Sequence, residues 1–248
     1  MTNEGTIVIS GGGTGIGGAV ARRLAGEGRH VTVVGRRSSP LEAIRAHAGS
    51  NVDTAVADVS TEEGADTVAT HLNDRGLGCQ GVVAAAGGIG AGTEPHGALA
   101  RIRAEWETSF RSNVLSAVLL VEALRHSLEA ESGRVVLLSS VAALRGSGGG
   151  PYGAMKAALH AYAFDLAREL GAHGGTANVL APGFVPDTEF WSGRLTEESR
   201  ATRAAQSLVN RPGTPDEVAS LIAWLLGPDG GWMTGQVLSP NGGVVLGR

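Results

Sequence analysis

The chain has 248 residues, with 20 Lys+Arg against 24 Asp+Glu, a formal net charge of −4 and 42% apolar side chains. Basic residues form no run beyond the pairs Arg22-Arg23 and Arg36-Arg37, so a nucleic-acid surface is not expected. The single Cys79 excludes an intramolecular disulfide, and no apolar stretch approaches the about 20 residues that span a bilayer.

The first residues lack the basic-then-apolar layout of a signal peptide and lead into a β-branched run at 6–9, so a soluble, cytoplasmic protein is expected. A glycine-rich turn follows, then a helix over 19–24, a strand over 31–34 and a helix over 41–47. The next strand is predicted over 52–56. A helix at 61–73 follows, with Ser60 as N-cap and Glu63 at the capping-box position. A strand at 82–86 precedes a long helical region within 98–129. Strands at 135–138 and 177–180 flank a helix at 154–170. Residues 215–226 read as a helix, and 236–238 as a short closing strand.

The strands are short, continuous and apolar, as in a parallel sheet covered on both faces. Their alternation with helices predicts an α/β, doubly wound parallel sheet in one domain spanning 1–248. The glycines (39 of 248) show no period; they gather at the ends of apolar runs, where turns need them. With aromatics at 4%, the core must be built from Val, Leu, Ile and Ala. Residues 183–211 break the alternation, and a lid over a site is expected at about 184–211.

The turn after the first strand reads Ser10-Gly11-Gly12-Gly13-Thr14-Gly15-Ile16-Gly17 and opens into a helix. Glycines there let the backbone approach a pyrophosphate, which meets the free amides and positive end of the helix. Its spacing matches neither G-x-G-x-x-G nor a P-loop. About 20 residues on, an acidic residue would read a ribose 2′-hydroxyl. The chain instead has Gly35-Arg36-Arg37, and two guanidiniums suit a 2′-phosphate, so NADPH is favoured over NADH. Solvated surface arginines are the other reading. Asp58-Val59 ends the third strand as an adenine flank or as a turn residue. Ala84-Ala85-Ala86-Gly87 ends the fourth with small side chains that suit close approach of a ribose or nicotinamide.

Tyr152 and Lys156, four apart at a helix start, share a face. Ser139-Ser140 ends the fifth strand, at the sheet edge where open α/β folds place ligands. A phenol titrates at about 10, and a neighbouring ammonium favours its ionised form. A serine hydroxyl facing the same substrate oxygen would stabilise developing charge.

These residues resemble the short-chain dehydrogenase/reductase family over essentially the whole chain. The likeness rests on Gly11, Gly15 and Gly17, Asp58, Ala86-Gly87, Asn113, Ser140, Tyr152-x-x-x-Lys156 and Pro182-Gly183. It extends to Met233-Thr234-Gly235-Gln236-Val237 and Asn241-Gly242-Gly243, and the members it most resembles are 3-oxoacyl-carrier-protein reductases. The resemblance implies a Rossmann fold of about 250 residues. It also implies an NADP(H)-dependent oxidoreductase working between a carbonyl and a secondary alcohol. Tyr152 would be its acid/base and Ser140 would polarise the carbonyl, with Ser139 as rival. Lys156 would bind the nicotinamide ribose and lower the tyrosine pKa. Asn113 would bend its helix and hold a water leading to Lys156. The implied cofactor contacts are Gly11, Thr14, Gly15, Ile16, Gly17, Arg36, Arg37, Asp58, Val59, Ala86, Gly87, Tyr152, Lys156, Pro182, Gly183, Val185 and Thr188. No metal is expected. A homo-oligomer, dimer or tetramer, is implied.

Three departures from the family stand out. Ala84-Ala85-Ala86-Gly87 replaces Asn-Asn-Ala-Gly. The loop from Ser140 to Tyr152 is about one residue short, and Pro186 displaces Thr188 by one position. Phe190 and Trp191, with Trp232, point to an apolar or planar substrate, or to packing of a lid or subunit interface. Leu144, Arg145 and Ser147 are further pocket candidates. A ketoacyl thioester, polyketide, sugar, steroid-like ring or xenobiotic ketone all remain open as substrate. Two rival readings are a dehydratase or epimerase, and an NADPH-binding sensor without turnover. Dehydratase and epimerase relatives carry a longer C-terminal part, and a sensor needs no proton relay.

Overall fold

The computed structural model describes residues 5–89, 98–146 and 150–247. The strands β1 (Gly5–Ser10), β2 (Val31–Gly35), β3 (Val52–Val56), β4 (Gly78–Ala84), β5 (Arg134–Leu138), β6 (Thr176–Leu180) and β7 (Val237–Leu238) form one sheet. Their order is β3-β2-β1-β4-β5-β6-β7, and every pair is parallel. The expected α/β doubly wound sheet is therefore the observed one. Its order reverses between β1 and β4, and the crevice outside their carboxyl ends is where such sheets bind ligands.

Adjacent strand residues point to opposite faces, and both faces are apolar. Ile7 and Ile9 pack with α1 (Gly15–Gly26) and α10 (Pro215–Leu226). Val8 and Val82 pack on the other face with α3 (Glu62–Asp74), α5 (Ser116–Ala123) and α8 (Tyr152–Gly171). On α8, Leu159, Ala163, Leu166 and Leu170 form the buried stripe that holds this helix against the sheet. Cys79 is wholly buried, and burial pushes its thiol up to about 12, which leaves it inert. Among the described residues, no helix is long and apolar enough to cross a membrane.

The expected strand at 82–86 and the expected N-cap Ser60 are corrected, and the helical region within 98–129 is divided. It is α4 (Ala98–Phe110), a π-turn at Arg111–Leu115, α5 and α6 (Arg125–Ala130). Asn113 within the π-turn and Ser116 after it bond to backbone carbonyls one turn back, which competes with the regular ladder. β4 starts earlier and ends earlier than 82–86, leaving Ala85 and Ala86 outside the sheet. The N-cap of α3 is Thr61, whose Oγ1 accepts from the Gly64 amide at 3.1 Å, while Ser60 donates to Asp58 instead.

The irregular segment holds a helix, α9 (Glu197–Ala205), behind a capping box of Thr196 and Ser199. Two acidic residues in its first turn reinforce that start. The signal was present in the sequence, but the helix is too polar for periodicity to reveal it. The remaining helices are α2 (Ser38–Ala48) and α7 (Ala142–Arg145).

Candidate active site

A cleft of 1270 Å³ runs along the carboxyl edge of the sheet, from the glycine-rich turn to Tyr152. Every residue assigned above to the cofactor lines it, and so does Ser140. Asn113 lies behind the lining, fully buried.

At the nucleotide end, Gly11 and Gly15 adopt φ of +65° and +53°, a region that side chains with a Cβ avoid. A Cβ at Gly17 would collide with the Gly11 carbonyl oxygen, so α1 can start this close to the turn only with glycine there. Thr14 sits at the N-cap of α1 without capping it. The turn therefore presents unblocked backbone and a helix N-terminus, a cradle that fits a dinucleotide pyrophosphate. Asp58 accepts from the Ser60 hydroxyl at 2.7 Å and its amide at 3.1 Å. That hydroxyl leads in holding its carboxyl below the ordinary range, with Arg36 and Arg111 adding to it. Val59 beside it is buried. Arg37 pairs with Glu189 of the lid segment.

At the middle of the cleft, Ala86 donates its amide to Ser10 Oγ at 3.2 Å. Asn113 grips Gly88 from both sides, accepting its amide at 3.0 Å and donating to its carbonyl at 2.9 Å. Gly87 lies between, at φ +151°, where a Cβ would stand 2.7 Å from Asn113 Oδ1 and 3.0 Å from Lys156 Nζ. The Ala84-Ala85 departure thus leaves this strand end anchored by Ser10 and Asn113, which the sequence alone did not reveal.

At the chemical end, α8 begins at Tyr152 and carries Lys156 one turn on. Lys156 is 4% exposed, and its Nζ donates to the Leu138 carbonyl at 2.8 Å, 6.0 Å from the Tyr152 ring centre. Burial lowers its pKa to about 8. Burial also pushes the Tyr152 phenol up to about 12, against a hydrogen bond with Ser140 that works the other way. The resemblance implied a phenol lowered by Lys156. In the chain by itself burial is the larger influence on the phenol and Ser140 the opposing one, while Lys156 Nζ bonds the Leu138 carbonyl.

The two serines separate clearly. Ser139 Oγ is 2.8 Å from the Lys156 carbonyl, to which it donates, and 2.9 Å from His160 Nε2. It ties β5 to α8, leaving Ser140 as the hydroxyl beside the phenol. Val141 donates to the Pro182 carbonyl, and Gly183 donates to that of Pro240, which fixes the far wall. Val185 is buried there, and Thr188 packs on Gly15.

The segment expected to form a lid places an aromatic ring beside the tyrosine. Phe190 lies 5.4 Å from Tyr152 between ring centres, with Trp191 4.8 Å beyond and Phe184 against Trp191 at 5.3 Å. Trp232, expected near this cluster, is instead fully exposed and away from the cleft. A lone tryptophan after a helix carries no sequence signal for the side it will face. Arg145 lines the cleft but Leu144 does not, and Ser147 lies outside the described residues. Among the described residues, no cluster of His, Cys, Asp or Glu could hold a metal.

Residues 11–245 match the short-chain dehydrogenase family model described as enoyl-(acyl carrier protein) reductase. The chain is a short-chain dehydrogenase/reductase. As a member of that family it is an oxidoreductase of CH–OH and C=O groups. It is 32% identical to the short-chain reductase protein NovJ of Streptomyces niveus, over 98% of this chain and 95% of that one. It is 31% identical to the 3-oxoacyl-[acyl-carrier-protein] reductase FabG of Vibrio cholerae, over 99% and 100%. Among solved structures, a single-substitution variant of an actinorhodin polyketide ketoreductase with NADPH superposes with a TM-score of 0.87 at 26% identity, covering 98% of each chain. The Pseudomonas aeruginosa RhlG/NADP active-site complex does so with 0.85 at 28%, covering 99% and 98%.

The inverted pair of pKa values in this short-chain dehydrogenase/reductase makes a stability prediction. Folded Lys156 loses its proton near pH 8, against an ordinary value of 10.5. Between these values the unfolded chain binds more protons, so this residue makes stability rise with pH across that window. Urea unfolding of the cofactor-free protein between pH 7.5 and 9, below the range where the raised Cys79 thiol opposes it, should show that rise, and Lys156→Met should remove it; an identical slope in both proteins would refute the assignment.

Proposed function

We propose that the chain is an NADPH-dependent carbonyl reductase in which Tyr152 delivers the proton to the substrate oxygen. The observation that carries this reading is the phenol itself: half-buried under Phe190, hydrogen-bonded to Ser140, and pushed up to about 12. Such a group is protonated at neutral pH and poised to give a proton to a forming alkoxide.

Bound dihydronicotinamide would supply a hydride to the carbonyl carbon. The chain's residues do the rest. Ser140 donates a hydrogen bond to the carbonyl oxygen and stabilises the charge that develops there. Tyr152 donates its proton to that oxygen. Lys156, largely an ammonium at neutral pH, holds the nicotinamide ribose and favours the phenolate left behind. Asn113 keeps the backbone at Gly88 in place beside them. The glycine-rich turn takes the pyrophosphate, Arg36 and Arg37 take the 2′-phosphate, and Asp58 and Val59 flank the adenine. Pro182, Gly183, Val185 and Thr188 wall the nicotinamide. Phe184, Phe190 and Trp191 form an aromatic cover that excludes water and favours a planar or apolar substrate body. Two of the similar proteins are named as ketoreductase or 3-oxoacyl reductase, and two similar structures were solved with NADPH or NADP, which supports both halves of this reading.

The proposed organisation is one domain over 1–248 with a lid at about 184–211, working as a dimer or tetramer in the cytoplasm. Light scattering reads the assembly, and a monomer would contradict it. Ketone-dependent NADPH oxidation should be detectable. Tyr152→Phe should lower its kcat by at least about 10²-fold while NADPH binding stays within about twofold, since only the proton donor is lost; wild-type turnover by this variant would remove Tyr152 from the chemistry. Joint replacement Arg36→Ala and Arg37→Ala should weaken NADPH by roughly tenfold or more and NADH far less, each charge-assisted hydrogen bond contributing about 1.5–3 kcal/mol. Equal losses for the two dinucleotides would remove the 2′-phosphate reading.

A further inference from the structure

Glu189 opens the short 3-10 turn Glu189–Trp191 in the lid segment. One of its carboxylate oxygens, Oε2, accepts from two groups at once: Thr14 Oγ1 at 3.3 Å and an Arg37 guanidinium nitrogen at 2.5 Å. Both donors stand at the phosphate-reading end of the cleft. Thr14 is the N-cap of α1 and its hydroxyl makes no bond to that helix, while Arg37 follows the end of β2. The neighbouring Thr188 side chain packs on Gly15, 3.2 Å from where a Cβ would be. A carboxylate thus lies across the groups that the dinucleotide needs, held by the same guanidinium that would take its 2′-phosphate.

The arrangement has a direct electrostatic consequence. The guanidinium fork pairs best with one oxyanion at a time. A phosphate monoester carries close to two negative charges at neutral pH. When Arg37 turns to it, Glu189 loses a partner and faces a like charge. Both effects weaken binding of the 2′-phosphorylated dinucleotide and spare the unphosphorylated one. The side chains of Arg37 and Glu189 are 63% and 51% exposed, so the pair is weak and exchangeable rather than a permanent lock. Phe190, next in the turn, is the ring that covers Tyr152, so the same pair also steadies the cover over the acid.

We propose that Glu189 is an internal competitor of the cofactor's 2′-phosphate for Arg37, and that it sets how strongly the chain prefers NADPH over NADH. The inference rests on Arg37 being a ligand of that phosphate. The alternative is that the pair only packs the lid, in which case its loss would leave cofactor discrimination unmoved.

Dissociation constants for NADPH and NADH, measured by calorimetry, decide between them in four proteins: wild type, Glu189→Gln, Arg37→Ala and the double variant. Glutamine keeps the size of the side chain and removes only its charge. Glu189→Gln should tighten NADPH by about twofold to fivefold, as expected for an exposed pair, and change NADH by less than about 1.5-fold. Placed on Arg37→Ala, the same substitution should tighten NADPH by clearly less, because only the like-charge repulsion then remains. NADPH binding that is unchanged or weaker, equal tightening of both dinucleotides, or tightening of the same size without Arg37 would each overturn the proposal. Equal weakening of both by Arg37→Ala alone would withdraw the 2′-phosphate reading beneath it. That outcome shows in the single variant, so the two failures are distinguishable.

Discussion

Lys156 is a cation placed where water scarcely reaches, and the architecture around it answers the need to satisfy it. The Leu138 carbonyl takes one of its protons at the end of β5. Ser139 holds the helix carbonyl of the same residue, so the strand and α8 are joined at both ends of the lysine. Gly87 must lack a side chain, because the ammonium and the Asn113 amide converge on the space that a Cβ would fill. Asn113 reaches that point from the π-turn between α4 and α5 and pins Gly88 by two hydrogen bonds. Two strand ends and three helices are thus fixed by one buried charge and its neighbours.

The same burial sorts the proton chemistry. It lowers the lysine and raises the tyrosine, which inverts their ordinary order. A protonated phenol beside Ser140 is able to donate a proton. Phe190 stands over the phenol ring and shields one side of it. At the opposite end of the cleft the balance is reversed. There the groups are exposed, the turn and two arginines present positive potential, and a lid carboxylate answers it. The cleft therefore joins a more buried end at Tyr152 and Lys156 to a solvated end of positive charge, and the turn Glu189–Trp191 touches both.

Much of this was legible without coordinates because it depends on short spacings. Tyr152 and Lys156 share a face by helical period, and glycines after a β-branched run mark a turn that approaches phosphate. The resemblance favoured Ser140 over Ser139, but what Ser139 does instead was not legible. It depends on which hydroxyl α8 meets when it packs, and adjacent residues at a strand end differ in direction only once the sheet has been placed. The fate of Trp232 and the division of 98–129 failed for related reasons. An isolated aromatic has no pattern, and side-chain bonds to the backbone break a helix without the Gly or Pro that normally announces it. Glu189 was passed over because a lone acid in an irregular segment looks like any solvated charge.

The sequence by itself determined the α/β alternation, the parallel sheet, the glycine cradle and the Tyr/Lys pair, since local periodicity and backbone sterics set all of these. Only the tertiary structure decided how groups far apart along the chain come together. It brought Glu189 to Arg37, Asn113 to Gly88, and Phe190 to Tyr152. It also decided the direction of the tyrosine's pKa, because desolvation belongs to the packed chain and no spacing in the sequence encodes it.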